Sequence, residues 1–333
     1  MATPVRILSI DGGGIRGVIP AMILHELETR AGKPIHQLFD LIAGTSTGGI
    51  LALGLTAPGP NGVPRYSARA LLELYENDGS TIFHQSLGRR LLAVGHLLGS
   101  KYSAKNIEDV LRRYFGETRL AEALTDVVVP SYELEGRIAW FFKSWRARRD
   151  EAYNFLMREV ARATSAAPTY FPPVRLDSRG DDLDTTRGYY ALVDGGVFAN
   201  NPSLCAYVEA KSRGPDSQDL LMVSIGTGQW TTPIPYAKAR GWGLVGWAGS
   251  LLDVVFDGVS DTTEYQLKRV LRPLPDGSGR HYRFQAELAQ GEDALDDASP
   301  ANIANLKRVA TGIIEQNDAA LTELAAALGR ENP

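Results

Sequence analysis

Ser46 stands in Gly44-Thr45-Ser46-Thr47-Gly48, a G-x-S-x-G pattern. The outer glycines let the chain turn sharply enough to push a serine oxygen beyond a strand end. A helix starting there would turn its free N–H groups and positive dipole end on the same point, favouring developing negative charge. Upstream, Gly12-Gly13-Gly14 in DGGGIRG (residues 11–17) can aim consecutive backbone N–H groups at one spot with no side chain in the way. Downstream, Asp194 precedes Gly195-Gly196 and supplies a carboxylate. A nucleophile, a donor loop and a base are the parts of acyl transfer to water. The expected catalytic residues are therefore Ser46 and Asp194. Gly12, Gly13 and Gly14 form the expected oxyanion loop, with Gly13 and Gly14 as donors. Arg16, Gly17, Gly44, Gly48, Gly195 and Gly196 support the arrangement.

Each piece has a competing reading. GTSTGG can be a plain strand-to-helix turn whose serine caps the helix. Residues 12–17 formally match G-x-G-x-x-G, the dinucleotide fingerprint, which also wants an acidic residue at the end of the second strand. That strand ends here in Ala43-Gly44-Thr45-Ser46, and no Gly-Lys-Ser/Thr phosphate loop is present. An aspartate at a strand end is often only a turn residue. The base itself has two versions. A Ser46–Asp194 dyad asks the carboxylate to accept the serine proton directly, which needs a dry site. A Ser46–Asp194–His281 triad keeps the order seen in α/β-hydrolases. His25 and His36 flank the first helix, and His84 and His96 fall in a helical region, so His281 is the histidine left for that role.

These residues need strands to carry them, and each motif follows an apolar run: VRILSI, FDLIA and YYALV. Strand-like and helix-like segments alternate through the first 230 residues, predicting a mainly parallel sheet covered by helices. VIPAMILHELETRA is the first crossover helix and TGGILALGLTA the helix behind Ser46. Residues 58–64, PGPNGVP, read as a surface loop. Ser67 and Ser103 are N-caps for ARALLELYENDG and AKNIEDVLRRYFG. GRIAWFFKS (136–144) and LLMVSIGTG read as strands, and NFLMREVARAT (154–164) as a helix. SAAPTYFPPVRL carries three prolines and cannot stay helical. ANIANLKRVATGIIEQNDAALTELAAAL closes the chain as one or two amphipathic helices. No repeat, linker or composition shift divides residues 1–333, so one domain is expected.

Bulk properties exclude several classes. A net charge of −4 offers no field for nucleic acid, so that partner is set aside. A lone cysteine, Cys205, excludes an intrachain disulfide framework and any multi-cysteine metal site. No metal or cofactor is called for. The first strand begins almost at once, leaving no room for a signal peptide, and no apolar run approaches the ~20 residues of a spanning helix. A cytoplasmic protein is expected, with peripheral contact at membranes; the oligomeric state stays open.

Taken together, DGGGIRG, GTSTGG and DGG resemble the patatin-like phospholipases, lipid acyl hydrolases related to plant patatin and cytosolic phospholipase A. The family pattern also has a segment like ATSAAPTYFPP, present at 163–173, and VDGGVFANNP follows at 193–202. The resemblance runs from about residue 5 to residue 228 and implies a three-layer α/β/α fold without a cofactor. It implies a Ser46–Asp194 dyad, an oxyanion loop at 12–14, and hydrolysis of a phospholipid or other acyl lipid through an acyl–serine intermediate. Arg16 would steady the loop or meet a lipid phosphate. Contact with a membrane or lipid aggregate calls for an apolar rim. GWGLVGWAGSLLDVVF (241–256), with Trp242 and Trp247, is one candidate. LLAVGHLLG (91–99) is a second, and ordinary buried helices are the alternative for both. A storage or binding protein that keeps the fold without turnover is the reading from a different class.

Overall fold

The computed structural model describes residues 4–84, 99–178, 187–213, 220–230, 233–243, 246–247, 250–273, 279–288 and 294–330. Its strands are β1 (Val5–Ile10), β2 (Leu41–Gly44), β3 (Asp126–Glu133), β4 (Ile138–Lys143), β5 (Val174–Asp177), β6 (Tyr189–Asp194), β7 (Leu220–Ile225), β8 (Gln229–Trp230), β9 (His281–Phe284) and β10 (Glu287–Leu288). Helices of eight residues or more are α1 (Val18–Ala31), α2 (Thr47–Thr56), α3 (Ala68–Ile82), α4 (Ala104–Phe115), α5 (Met157–Thr164), α6 (Ser203–Arg213), α7 (Leu251–Val270), α8 (Pro300–Gln316) and α9 (Asp318–Gly329).

The main sheet runs β5-β6-β3-β2-β1-β7-β9, with β4 also paired to β3. The pairs β3/β2, β2/β1, β1/β7 and β7/β9 are parallel, while β4, β5 and β6 join antiparallel. Side chains alternate across this sheet, and both faces are covered. Leu8, Ile10, Ile42, Val127, Val129, Val223 and Ile225 point into a large core with α1 to α5, α8 and α9. Ile7, Leu41, Ala43, Val128, Leu220 and Met222 point the other way, against Ala206 and Ala210 of α6 and Leu267 of α7. The architecture is a three-layer α/β/α sandwich with a mainly parallel sheet.

Most of the expected elements are present. Ser67 and Ser103 cap α3 and α4, accepting from the N–H groups of Ala70 and Lys105. α5 begins at Met157 rather than Asn154: Leu156 is extended as its N-cap, and the Phe155 carbonyl accepts the Leu120 N–H instead of a helical one. The closing segment is two helices. β3, β5, β8, β9 and β10 have no counterpart in the sequence reading. β3 carries Pro130, and proline argues against a central strand. Its missing N–H falls in the interval between two ladders: β2 pairs with Asp126–Val128 and β6 with Ser131–Glu133.

That interval sets the active geometry. β4 pairs along Val128–Glu133, so β2 and β6 share the opposite edge of β3 and approach from opposite ends. Their carboxyl ends, Gly44 and Asp194, therefore face each other across Val129 and Pro130.

Candidate active site

Ser46 follows β2 directly and adopts φ 55°, ψ −121°, a left-handed conformation rare outside glycine. Such strain is characteristic of a residue held out for use. Its side chain makes no capping bond to α2, so the helix-cap reading fails. The glycines beside it are there for space: a Cβ at Gly44 would strike the Gly48 carbonyl, and one at Gly48 the Ile10 carbonyl. Behind the turn, the Thr47 hydroxyl is 2.5 Å from the Tyr75 hydroxyl, and both crowd Gly17.

Asp194 ends β6, is buried, and stands within hydrogen-bonding reach of the Ser46 hydroxyl. Its Oδ1 accepts the Gly196 N–H at 2.7 Å. Burial pushes the carboxyl up to about 7, against the Ser46 and Gly196 hydrogen bonds, which pull it down. It is thus a carboxylate with the basicity of an imidazole. Gly195 lies against the Pro130 carbonyl and Gly196 beside Phe256, which explains why neither carries a side chain.

The segment 163–173 holds both residues in place, a role the sequence alone did not assign. Thr164, the last residue of α5, accepts the Ser46 N–H at 2.9 Å and donates to the Pro130 carbonyl at 2.7 Å. Two residues on, the Ala166 carbonyl accepts the Asp194 N–H at 3.1 Å.

The N–H groups of the glycine loop divide. The Gly12 N–H donates to the Asn200 carbonyl at 2.9 Å, so it is not available as an oxyanion donor. Gly13 and Gly14 line the cavity with Ser46, and among the described residues no backbone hydrogen bond takes their N–H groups. Gly14 has φ +56° and sits against the Leu295 carbonyl, so a side chain there would be both strained and obstructed. Arg16 is buried and its Nε donates to the Gly13 carbonyl at 3.4 Å, which is the steadying role.

Asp11, the first residue of the motif, is anchored separately. Arg283 on β9 grips it through two bonds of 3.0 and 2.6 Å, and also donates to Ser224 at 2.8 Å. Ser224 meets Ser203, which donates to Asn201. This buried chain ties the loop to VDGGVFANNP.

Two cavities flank the loop. One, of about 60 Å³, contains Ser46, Asp194, Gly13 and Gly14 and is walled by Ile50, Leu74, Phe83, Tyr170, Phe171, Phe256 and Leu295. The other, of about 540 Å³, is polar and lined by Asp11, Arg16, Thr227, Asp257, Glu264 and Arg283 among others. His281 belongs to this second cavity, with Nε2 3.5 Å from Glu264. The structure therefore does not bring it to Ser46 and Asp194. His25, His36 and His84 also lie outside the catalytic lining, and His96 is outside the described residues.

With this geometry in hand, the chain matches the patatin-like phospholipase model over residues 8–206. It belongs to that family. A patatin-like protein 4 from Arabidopsis thaliana is 31% identical over 94% of this chain and 84% of its own length. A patatin-like protein 2 from Oryza sativa subsp. indica is 32% identical over the same shares. A Solanum tuberosum chain named probable inactive patatin-3-Kuras 1 is 30% identical over 94% of this chain and 87% of its own. The family match ends at residue 206, so β9 with Arg283, and the wall residues Phe256 and Leu295, lie beyond it.

Two stability outcomes follow from these contacts. Arg283→Met leaves Asp11 buried without its partner and should cost about 3–5 kcal/mol in urea unfolding. Asp194 behaves in the opposite sense. Its folded value near 7 exceeds the ordinary 3.8, so the folded state alone holds a proton between those pH values. Stability falls as pH rises through that window. Asp194→Asn should therefore match the wild type near pH 4 and exceed it above pH 7, by up to about 4 kcal/mol. Equal stabilities at pH 8 would mean the carboxyl is not held up.

Proposed function

We propose that this patatin-like chain is a lipid acyl hydrolase that works through an acyl–Ser46 intermediate. The observation that carries it is Asp194, a buried carboxyl raised to about 7 and set beside a strained serine. Ser46 attacks the ester carbonyl while Asp194 takes its proton. The carbonyl oxygen, now negative, rests against the N–H groups of Gly13 and Gly14 in the loop after β1. Asp194 returns the proton to the departing alcohol, then accepts one from the water that frees Ser46. No imidazole is needed, and His281 in the other cavity supports that simpler scheme.

The substrate side of the reading rests on the wall of the cavity. Its lining is largely aliphatic and aromatic, suited to a fatty-acyl chain. At about 60 Å³ it is well under the ~300 Å³ at which ligand pockets begin, so the wall must yield to admit a chain. Phe256 belongs to that wall and to α7. Near the start of α7, Trp247 (39% exposed), Leu251 (51%) and Val254 (42%) present apolar surface, and Trp242 packs edge-on against Trp247 at 5.3 Å. Of the expected interfacial helix over 241–256, Gly246–Trp247 and the residues from Leu251 on are helical, while Gly241–Gly243 are not. We place the lipid-facing rim there. The other apolar stretch, 91–99, lies outside the described residues except for Gly99.

The idle-binding reading is kept because one relative is named probable inactive, so family membership alone does not carry turnover. Three substitutions separate the readings on a short-chain ester. Ser46→Ala and Asp194→Asn should each lose on the order of 10³-fold or more, whereas His281→Ala should stay near wild type. In the wild type, kcat/KM should rise tenfold per pH unit below about 7 and level off above it, because only ionised Asp194 is a base. A folded wild type that neither turns over nor reacts with an organophosphorus probe would establish the binding role.

The rim has its own test. Leu251→Asp should reduce release of fatty acid from phospholipid vesicles severalfold while leaving hydrolysis of a soluble short-chain ester unchanged. Equal losses on both substrates would remove α7 from the lipid contact.

A further inference from the structure

Asn200 lines both cavities, the apolar one with Ser46 and the polar one behind the glycine loop. It is buried, and its carbonyl holds the Gly12 N–H. Its Nδ2 donates to Ser260 Oγ at 3.2 Å, which fixes the amide plane. The other end, Oδ1, is buried and accepts no hydrogen bond from the described residues. That oxygen is close to Ser46: a Cβ built on Gly12 would contact both Asn200 Oδ1 and Ser46 Cβ. A buried acceptor without a donor costs roughly 1–3 kcal/mol, so its retention beside the nucleophile points to a donor that comes and goes.

We propose that Asn200 orients the water that releases the acyl group from Ser46, and that this water arrives from the polar cavity. The proposal rests on the acyl–Ser46 reading. In deacylation the water oxygen bonds to the acyl carbonyl carbon, and one of its protons passes to Asp194. The second O–H stays on the attacking oxygen and donates to Asn200 Oδ1 throughout, becoming the hydroxyl of the carboxylic acid. The carbon–Oγ bond then breaks, and Asp194 returns its proton to Ser46. Without Asn200 the second O–H would be left without an acceptor in an apolar cavity, and the attacking lone pair would be free to turn away from the carbonyl. The division of space agrees with this: the small apolar cavity suits an acyl chain, whereas the polar cavity of about 540 Å³ opens on the far side of the same amide. Acylation has no such need, because Ser46 has a single proton and Asp194 takes it.

The test separates the two half-reactions with a p-nitrophenyl ester in rapid mixing. Asn200→Leu keeps the approximate size of the side chain and removes the acceptor. It should label with an organophosphorus probe at close to the wild-type rate and release a burst of nitrophenol near one equivalent. Steady turnover should then run roughly 10- to 100-fold slower than wild type. Intact-mass measurement during that phase should show the acyl adduct on the protein. Asn200→Ala carries the same comparison should the leucine variant melt early. Steady rates unchanged in both variants, or labelling and turnover lost together in both, would overturn the role in water delivery. Failure of the wild type to label or to form any adduct would instead overturn the acyl–Ser46 reading.

Discussion

The site depends on two strands of opposite direction sharing one edge of a third. β2 reaches Val128 from below and β6 reaches Ser131 from above, leaving only Val129 and Pro130 between their ends. A wholly parallel sheet would put every strand's carboxyl end on one rim, with a strand spacing between neighbouring ends. Here Ser46 and Asp194 meet end to end instead. The arrangement tolerates little error, because a one-residue slip of β6 would turn Asp194 to the other face of the sheet. The Thr164–Pro130 and Ala166–Asp194 bonds fasten α5 across the junction, so the register is held by the segment that also orients Ser46.

Two buried aspartates show how environment divides the work of one residue type. Asp11 faces a guanidinium that matches it bidentately, and it anchors a loop. Burial raises both carboxyls; at Asp11 the charge of Arg283 pulls against it, whereas Asp194 faces only a hydroxyl and a backbone N–H, neither carrying full charge. A cation beside Asp194 would stabilise the fold and weaken the base. At neutral pH the fold therefore gives up stability at the residue whose basicity the proposed reaction uses.

The sequence displayed the candidate site and concealed its supports. Ser46, the glycine loop and Asp194 were legible because each lies after an apolar run and beside glycines, local signals that need no partner. The strand around Pro130 was not, since its proline is acceptable only in the gap between two ladders, which is a property of pairing. Arg283 sits 272 positions from Asp11, and its alternating surroundings, RHYRF, carry no mark of a buried ion pair. Thr164 was visible only as part of the segment 163–173 that resembles the family pattern. A glycine run does not by itself reveal which N–H groups are already taken; the Asn200 carbonyl takes that of Gly12 and leaves those of Gly13 and Gly14, the two expected donors.

The glycine loop lies between the two cavities, and its bonds on the polar side bear on its strength as a donor. The Gly12 carbonyl belongs to the same peptide unit as the Gly13 N–H, and Thr227 donates its hydroxyl to that carbonyl at 2.6 Å. The Gly13 carbonyl belongs to the unit carrying the Gly14 N–H, and it accepts from both the backbone N–H and the Nε of Arg16. Each peptide that would hold the oxyanion is therefore hydrogen-bonded at its other end, and such chains strengthen each bond by polarisation. The groups doing this line the polar cavity, where a hydroxyl and a guanidinium can be solvated. Their influence crosses to the apolar side through two amide planes. A side chain at Gly13 would collide with Thr227 and push that contact apart, so the glycine keeps the hydroxyl on the peptide that would hold the oxyanion.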